Sequence, residues 1–174
     1  MRTAKKVTFS LIILSLLTIN VVSQDAWQPP KPLENKVYES MIGSWEGENM
    51  MMGTATKEEI TIEWILNKQF IKMHVKGFNK QTNEISYEGV GIYGIDKDGN
   101  ALGWWFDNWG ASSIATGTGT FKDNMLEMKD GNAMFKETRT FEVKGNELTM
   151  KSKGTYTMSG QEMPFDESST YKKK

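Results

Sequence analysis

From residue 43 to residue 172, apolar and polar side chains alternate with a period of two residues, and short turn-forming segments interrupt the alternation. A two-residue period is typical of β-strands that bury one face. The pattern predicts ten strands, at residues 43–51, 55–66, 69–77, 85–95, 101–108, 112–121, 124–129, 133–143, 146–157 and 164–172. No helix of three turns fits between them, although residues 37–42 can form a single helical turn. We therefore predict an all-β domain.

Turn chemistry joins the predicted strands into antiparallel hairpins. Asp98-Gly99 is the strongest signal, because a two-residue hairpin turn needs positive φ angles that this pair tolerates. Lys144-Gly145-Asn146 and Ser159-Gly160 act similarly. No helices are predicted to cover the sheet, so closure would remove its exposed edges. We predict a single antiparallel up-and-down β-barrel of about ten strands over residues 37–174, with a two-sheet sandwich as the alternative.

The N-terminal segment predicts export. Basic residues at positions 2, 5 and 6 precede an apolar run over residues 7–22, and the small residue Ser23 fits a signal-peptidase site. Cleavage would remove residues 1–23 and leave no membrane span, whereas an uncleaved run would act as an anchor. Residues 24–36 are rich in proline and are predicted to form an extended leader. The expected location is the periplasm or the extracellular space.

Composition excludes several classes of function. The chain has no cysteine, which excludes a disulfide scaffold and a thiol enzyme, and its one histidine cannot build a zinc site of three or four nitrogen or sulfur ligands. Its 21 basic and 22 acidic residues form no basic stripe, and the short lysine tail at residues 172–174 is typical of a solvated terminus. We expect no metal, no cofactor and no nucleic-acid partner.

The hairpin around Asn67-Lys68 has a predicted register in which both faces are chemically consistent. Its inner face pairs Trp64 with Ile71, Ile62 with Met73, and Ile60 with Val75. Its outer face pairs Glu63 with Lys72, Glu59 with Lys76, and Thr61 with His74. This register places His74 among lysines on the polar face; the alternative is that His74 is a haem or metal ligand or a general base.

Several segments resemble a bacterial family of calycin-like proteins of unknown function. They are residues 43–47 (GSWEG), 87–96 (YEGVGIYGID), 102–107 (LGWWFD), 117–119 (GTG) and 169–172 (STYK). The resemblance covers nearly the whole mature domain and departs from the family at Ile95, where tyrosine is usual. It implies a barrel related to lipocalins and nitrobindins, with no settled activity. Nitrobindins bind haem through a histidine near the C-terminus, and this chain has none after His74.

The aromatic segment 104–109 and the strand 133–143 supply the candidate site. Pairing around Asp98-Gly99 sets Tyr93 opposite Trp104 and Ile92 opposite Trp105, and the resemblance favours Trp105 and Asp107 as the inward pair. Glu137 and Arg139 lie on one face between two phenylalanines, where they would either orient a polar ligand group or join an internal network with Asp107 or Tyr171. Arg139 would meet a ligand carboxylate. The predicted ligand-binding residues are Trp45, Trp64, Trp105, Asp107, Glu137, Arg139 and Tyr171.

Two kinds of function fit these residues. The first is binding of a small hydrophobic or amphipathic molecule inside the barrel, past an apolar lip formed by Met50–Met52. The second is an enzyme that uses Asp107, with or without Glu137, as a general acid or base. Two alternatives to ligand binding inside the barrel remain. The three methionines could bind Cu(I) instead of forming an apolar lip. The aromatic rings could also fill the barrel interior, in which case the loops would carry the function.

Overall fold

The computed structural model of the protein describes residues 28–51, 54–158 and 160–174. The predicted signal peptide, and the side chains of Met50–Met52, lie outside the described residues. Residues 31–174 form one compact unit that begins with a short helix. Its elements are α1 (Lys36–Met41), β1 (Gly43–Met51), β2 (Thr54–Ile65), β3 (Phe70–Asn79), β4 (Ile85–Ile95), β5 (Ala101–Asp107), β6 (Ala115–Lys122), β7 (Met125–Gly131), β8 (Phe135–Lys144), β9 (Glu147–Met158) and β10 (Gln161–Lys173).

The ten strands form one closed antiparallel barrel, which confirms the predicted fold class. Each strand pairs with its neighbours in sequence, and β1 pairs with β10 to complete the circle. In this β1–β10 seam, Trp45 lies opposite Lys173 and Gly47 opposite Tyr171. Across residues 28–51, 54–158 and 160–174, no helix has both the length and the apolar character needed to cross a membrane.

The predicted β2–β3 register is confirmed. Ile60 pairs with Val75 and Trp64 with Ile71, which gives an inward apolar column. His74 pairs with Thr61 on the outer face, where its Nε2 lies 2.7 Å from Oε1 of Glu88. His74 therefore lies outside the barrel interior, as the polar-face interpretation predicted.

The predicted β4–β5 register is wrong by one residue. Gly91, not Ile92, lies opposite Trp105, and Tyr93 lies opposite Gly103 instead of Trp104. The connection is longer than a two-residue turn, because Asp96 pairs with Asn100 and its carboxylate accepts the N–H groups of Asp98 and Asn100 at 2.9 and 2.8 Å. Three residues then form the loop, and the last of them, Gly99, has a φ of 86°.

Helix α1 closes one end of the barrel. Asn35 caps the helix by accepting the N–H groups of Val37 and Tyr38, each at 3.0 Å. Tyr38 is fully buried, packs edge-on against Trp64 and Phe121, and donates its hydroxyl to the carbonyl of Gly94 at 3.1 Å. These contacts join the helix to β2, β4 and β6 at the ends where those strands stop.

Candidate functional site

The end of the barrel opposite α1 contains a cavity of about 680 Å³. Ile60 and Val75 lie at its inner part, and three partly exposed apolar side chains, Trp109, Met134 and Met163, surround its mouth. Ligand sites of small molecules commonly have volumes of about 300 to 1,000 Å³. The aromatic side chains therefore do not fill this end of the barrel.

Five of the seven predicted ligand-binding residues line this cavity. They are Trp105, Asp107, Glu137, Arg139 and Tyr171. The other two lie at the closed end beneath α1: Trp45 is fully buried and donates its indole N–H to the carbonyl of Met41 at 2.8 Å, and Trp64 packs against Tyr38. The structure thus brings five of these residues together and places two outside the cavity lining.

Trp105 forms one wall of the cavity because glycines make room for its ring. A β-carbon at Gly91 would approach Cε3 of Trp105 to 2.9 Å, so a larger residue there would displace the ring. The indole N–H donates to the hydroxyl of Tyr87 at 3.0 Å, and the guanidinium of Arg139 lies 5.3 Å from the ring centre. These contacts hold Trp105 inward, as predicted.

Glu137 and Arg139 form an ion pair on the inner face of β8. The pair is largely buried, with side-chain exposures of 4% and 16%. Nε of Arg139 also donates to Oγ of Ser152, its cross-strand partner on β9, at 3.3 Å. Burial acts to lower the pKa of Arg139, but the combined charges of Glu137, Tyr93, Asp130 and Tyr87 outweigh it and raise the pKa, so the guanidinium stays charged.

Asp130 is a third charged side chain beside this pair. On β7, Asp130 lies opposite Gly117 of β6 on one side and opposite Glu137 of β8 on the other. Burial raises the pKa of Asp130 to about 6; Arg139 opposes part of this rise, and Glu137 adds a smaller one. The charges of two carboxylates, Asp130 and Glu137, therefore act on one guanidinium.

A second polar network lies on the β1, β2 and β10 side of the cavity. The hydroxyl of Tyr171 donates to the buried carboxylate of Glu58 at 2.5 Å, and Nδ2 of Asn49 donates to the same side chain at 3.1 Å. Oγ of Ser169 donates to Oδ1 of Asn49 at 2.7 Å. Burial, followed by the charge of Glu58, raises the pKa of Tyr171, so its hydroxyl remains a donor.

Asp107 supports the loop that follows β5. Its carboxylate accepts from Oγ of Ser113 and from the backbone N–H of Trp109, the latter at 3.0 Å. Neither Asp107 nor Tyr171 hydrogen-bonds to the Glu137–Arg139 pair among the contacts that the described residues make. The predicted hydrogen-bonded link from Glu137 and Arg139 to Asp107 or Tyr171 is therefore absent among the described contacts, since Tyr171 binds Glu58 and Asp107 binds Ser113 and the N–H of Trp109.

Among the cavity-lining residues that were not predicted are Glu58, Tyr87 and Glu167. The period of two would have identified each of them. Residues an even number of positions apart on a strand point to the same face of the sheet. By this rule Glu58 shares the inner face of β2 with Ile60. In the same way, Tyr87 shares that of β4 with Tyr93, and Glu167 shares that of β10 with Tyr171. Glutamates at inward positions are easily assigned to the solvent face, because charged side chains are seldom fully buried.

Comparison with known proteins supports the fold. No protein-family model matches the sequence, and no curated protein matches it. The crystal structure of Rv2717c from M. tuberculosis is similar, with a TM-score of 0.60 over 78% of this chain and 93% of that chain, at 14% sequence identity. At this identity the similarity concerns the barrel architecture alone.

Proposed function

We propose that this chain is an exported, calycin-like binding protein whose barrel holds one small apolar or amphipathic molecule. The observation that carries the proposal is the cavity of about 680 Å³, which lies in a barrel closed by α1 at its other end and is bordered at its mouth by Trp109, Met134 and Met163. Apolar walls with a few oriented polar groups are the usual composition of a small-molecule site. The exposed apolar side chains at the mouth give such a molecule a path into the barrel.

The enzyme hypothesis receives less support from the geometry. Glu137 is bonded to Arg139, and Asp107 is bonded to Ser113 and to a backbone N–H. A general acid or base must reach the proton that it transfers, and here both carboxylates already bind groups of the protein. Binding without chemistry is therefore the function that we propose.

The proposal is tested by tryptophan fluorescence during titration with 1-decanol, a neutral amphiphile. Saturable change is expected because Trp105 and Trp109 line the cavity. The double variant Trp105→Phe/Trp109→Phe should lose most of the signal. Trp104→Phe is the matched control and should retain it, because Trp104 packs against Phe70 and is absent from the lining.

Lack of saturation with decanol, and with shorter and longer homologues, would contradict the proposal. Native mass spectrometry of protein purified from its own host gives an independent test, since a bound molecule would appear as an added mass. An added mass that is present in protein from the host and absent after denaturation and refolding would identify the natural ligand.

The proposed export rests on the N-terminal sequence. Three basic residues followed by the apolar run of residues 7–22 have the organisation of a secretory signal. N-terminal sequencing of the mature protein is expected to begin at Gln24. A mature chain that begins at Met1 and stays with the membrane would contradict cleavage.

A further inference from the structure

The charged residues of the cavity are mostly acidic. Among the described residues, its lining contains one cationic side chain, Arg139, together with four carboxylates, Glu58, Asp107, Glu137 and Glu167. In a partly water-excluded space these charges act on a ligand more strongly than they would in bulk water. The charge of the lining therefore affects which head group of an amphipathic ligand binds best.

Arg139 is poorly placed to bind an anion. Its guanidinium is paired with Glu137, bonded to Ser152 and positioned over the ring of Trp105. Asp130 lies close enough that its charge also acts on Arg139. A ligand carboxylate would have to compete with these groups and approach the cavity acids, which is unfavourable because like charges repel.

Three of the four lining carboxylates already have partners in the protein. Glu58 accepts from Tyr171, Asp107 accepts from Ser113, and Glu137 pairs with Arg139. Glu167 differs: it lies on the inner row of β10, half-buried, and its side chain has no hydrogen bond or ion pair among the described residues. Burial, then the charges of Glu137 and Glu58, raise the pKa of Glu167, while Arg139 opposes this rise.

Aromatic rings lie beside Glu167. Phe165 is two residues before it on the same face of β10, and the rings of Phe165 and Tyr156 are 4.4 Å apart with planes tilted by 30°. Phe135 adds a third ring, 6.1 Å from Tyr156. The charge of Glu167 is near enough to contribute to the raised pKa of Tyr156. A carboxylate next to aromatic faces is a combination that attracts organic cations, since both the charge and the ring quadrupoles favour positive charge.

We propose that the cavity selects ligands with a cationic head group, an amine or ammonium, which Glu167 binds beside the Tyr156–Phe165 ring pair. The apolar part of the ligand then lies along Trp105, Tyr87 and Ile60 toward the closed end. This inference rests on the proposed binding function and specifies its ligand class. It replaces the carboxylate ligand that the sequence suggested for Arg139.

The test compares three probes of equal chain length, decylamine, 1-decanol and decanoate, each titrated against the full mature protein at pH 7 below its aggregation concentration. Decylamine is expected to bind at least about tenfold more tightly than decanoate, with decanol between them, as a charge-assisted contact predicts. Glu167→Gln should reduce the preference for decylamine to within about threefold of decanol, because the neutral amide keeps the shape and removes the charge.

Glu162→Gln is the matched control. Glu162 lies on the same strand but has the opposite parity and is exposed, so the variant should keep the full preference. Equal affinity for the three probes, tighter binding of decanoate, or a preference that survives in Glu167→Gln would each overturn the inference while leaving the binding function in place. A failure of all three probes to saturate would overturn both proposals.

Discussion

Asp130 links the stability of the barrel to pH. Burial raises its pKa from 3.8 to about 6, so between these values the folded state holds more protons than the unfolded state. Stability from this group is therefore highest at low pH and falls as the pH rises from about 4 to about 6. Above about pH 6, the folded protein bears the full free-energy cost of burying the charged carboxylate of Asp130.

Replacement of Asp130 by asparagine should remove this pH dependence. At pH 8 we expect Asp130→Asn to be more stable than the wild type by about 1 to 3 kcal/mol, and at pH 4 the gain should largely disappear. Urea unfolding at the two pH values measures the difference. Asp166→Asn is the control, because Asp166 is exposed and forms only a surface ion pair with Lys153 at 3.4 Å. A gain that is the same at both pH values would show that Asp130 titrates normally.

Whether a side chain faces the barrel interior was predictable where the two-residue alternation along its strand alone decides it. Alternation along β8 was expected to put Arg139 on the same face as Glu137, and both line the cavity. On β5, alternation left Trp104 and Trp105 as alternatives, and the family resemblance favoured Trp105, which lines the cavity. This alternation does not predict which polar groups pair across strands. Tyr171 and Glu58, for example, are hydrogen-bonded although they are 113 residues apart in the chain. Such contacts depend on the register of several strands at once.

Helix α1 closes one end of the barrel, and Tyr38 is its fully buried aromatic side chain. Tyr38→Ala is expected to destabilise the protein by about 3 to 5 kcal/mol, the usual cost of deleting a buried aromatic ring. Tyr38→Phe should cost only about 0.5 to 1.5 kcal/mol, the value of the hydrogen bond to Gly94. Denaturant unfolding of both variants separates ring packing from hydrogen bonding. A similar loss in the two variants would assign the effect to the hydroxyl.

The β4–β5 hairpin shows why element boundaries were predicted better than register. Residues 85–95 were predicted as a strand and form β4 with those limits. The dipeptide Asp98-Gly99 is compatible with a two-residue turn and also with the last two positions of a three-residue loop. The bonds from the Asp96 carboxylate to two backbone N–H groups select the longer loop, and a side-chain contact of this kind leaves no trace in the period of the strands.

At the scale of the molecule, stability depends on the β1–β10 seam. Deletion of residues 169–174 removes Tyr171 and the strand pairs of this seam. We expect the truncated chain to lose its cooperative thermal transition and to bind the dye 1-anilinonaphthalene-8-sulfonate, because both seam edges and the apolar interior become exposed. Deletion of Lys174 alone is the control; it removes exposed ion pairs with Glu46 and Glu59 and should cost no more than about 1 kcal/mol. A cooperative transition in the longer deletion would show that nine strands fold without closure.

The seam also determines the order of events during folding. It joins Asn49 to Ser169, which are 120 residues apart in the chain, so the circle can close only after the last strand has been synthesised. Until then the earlier strands form an open sheet with bare edges, and contacts between distant parts of a chain form slowly. If the chain is exported as we propose, it would cross the membrane before the barrel has closed. The final strand thus determines how long the barrel remains vulnerable to aggregation and proteolysis.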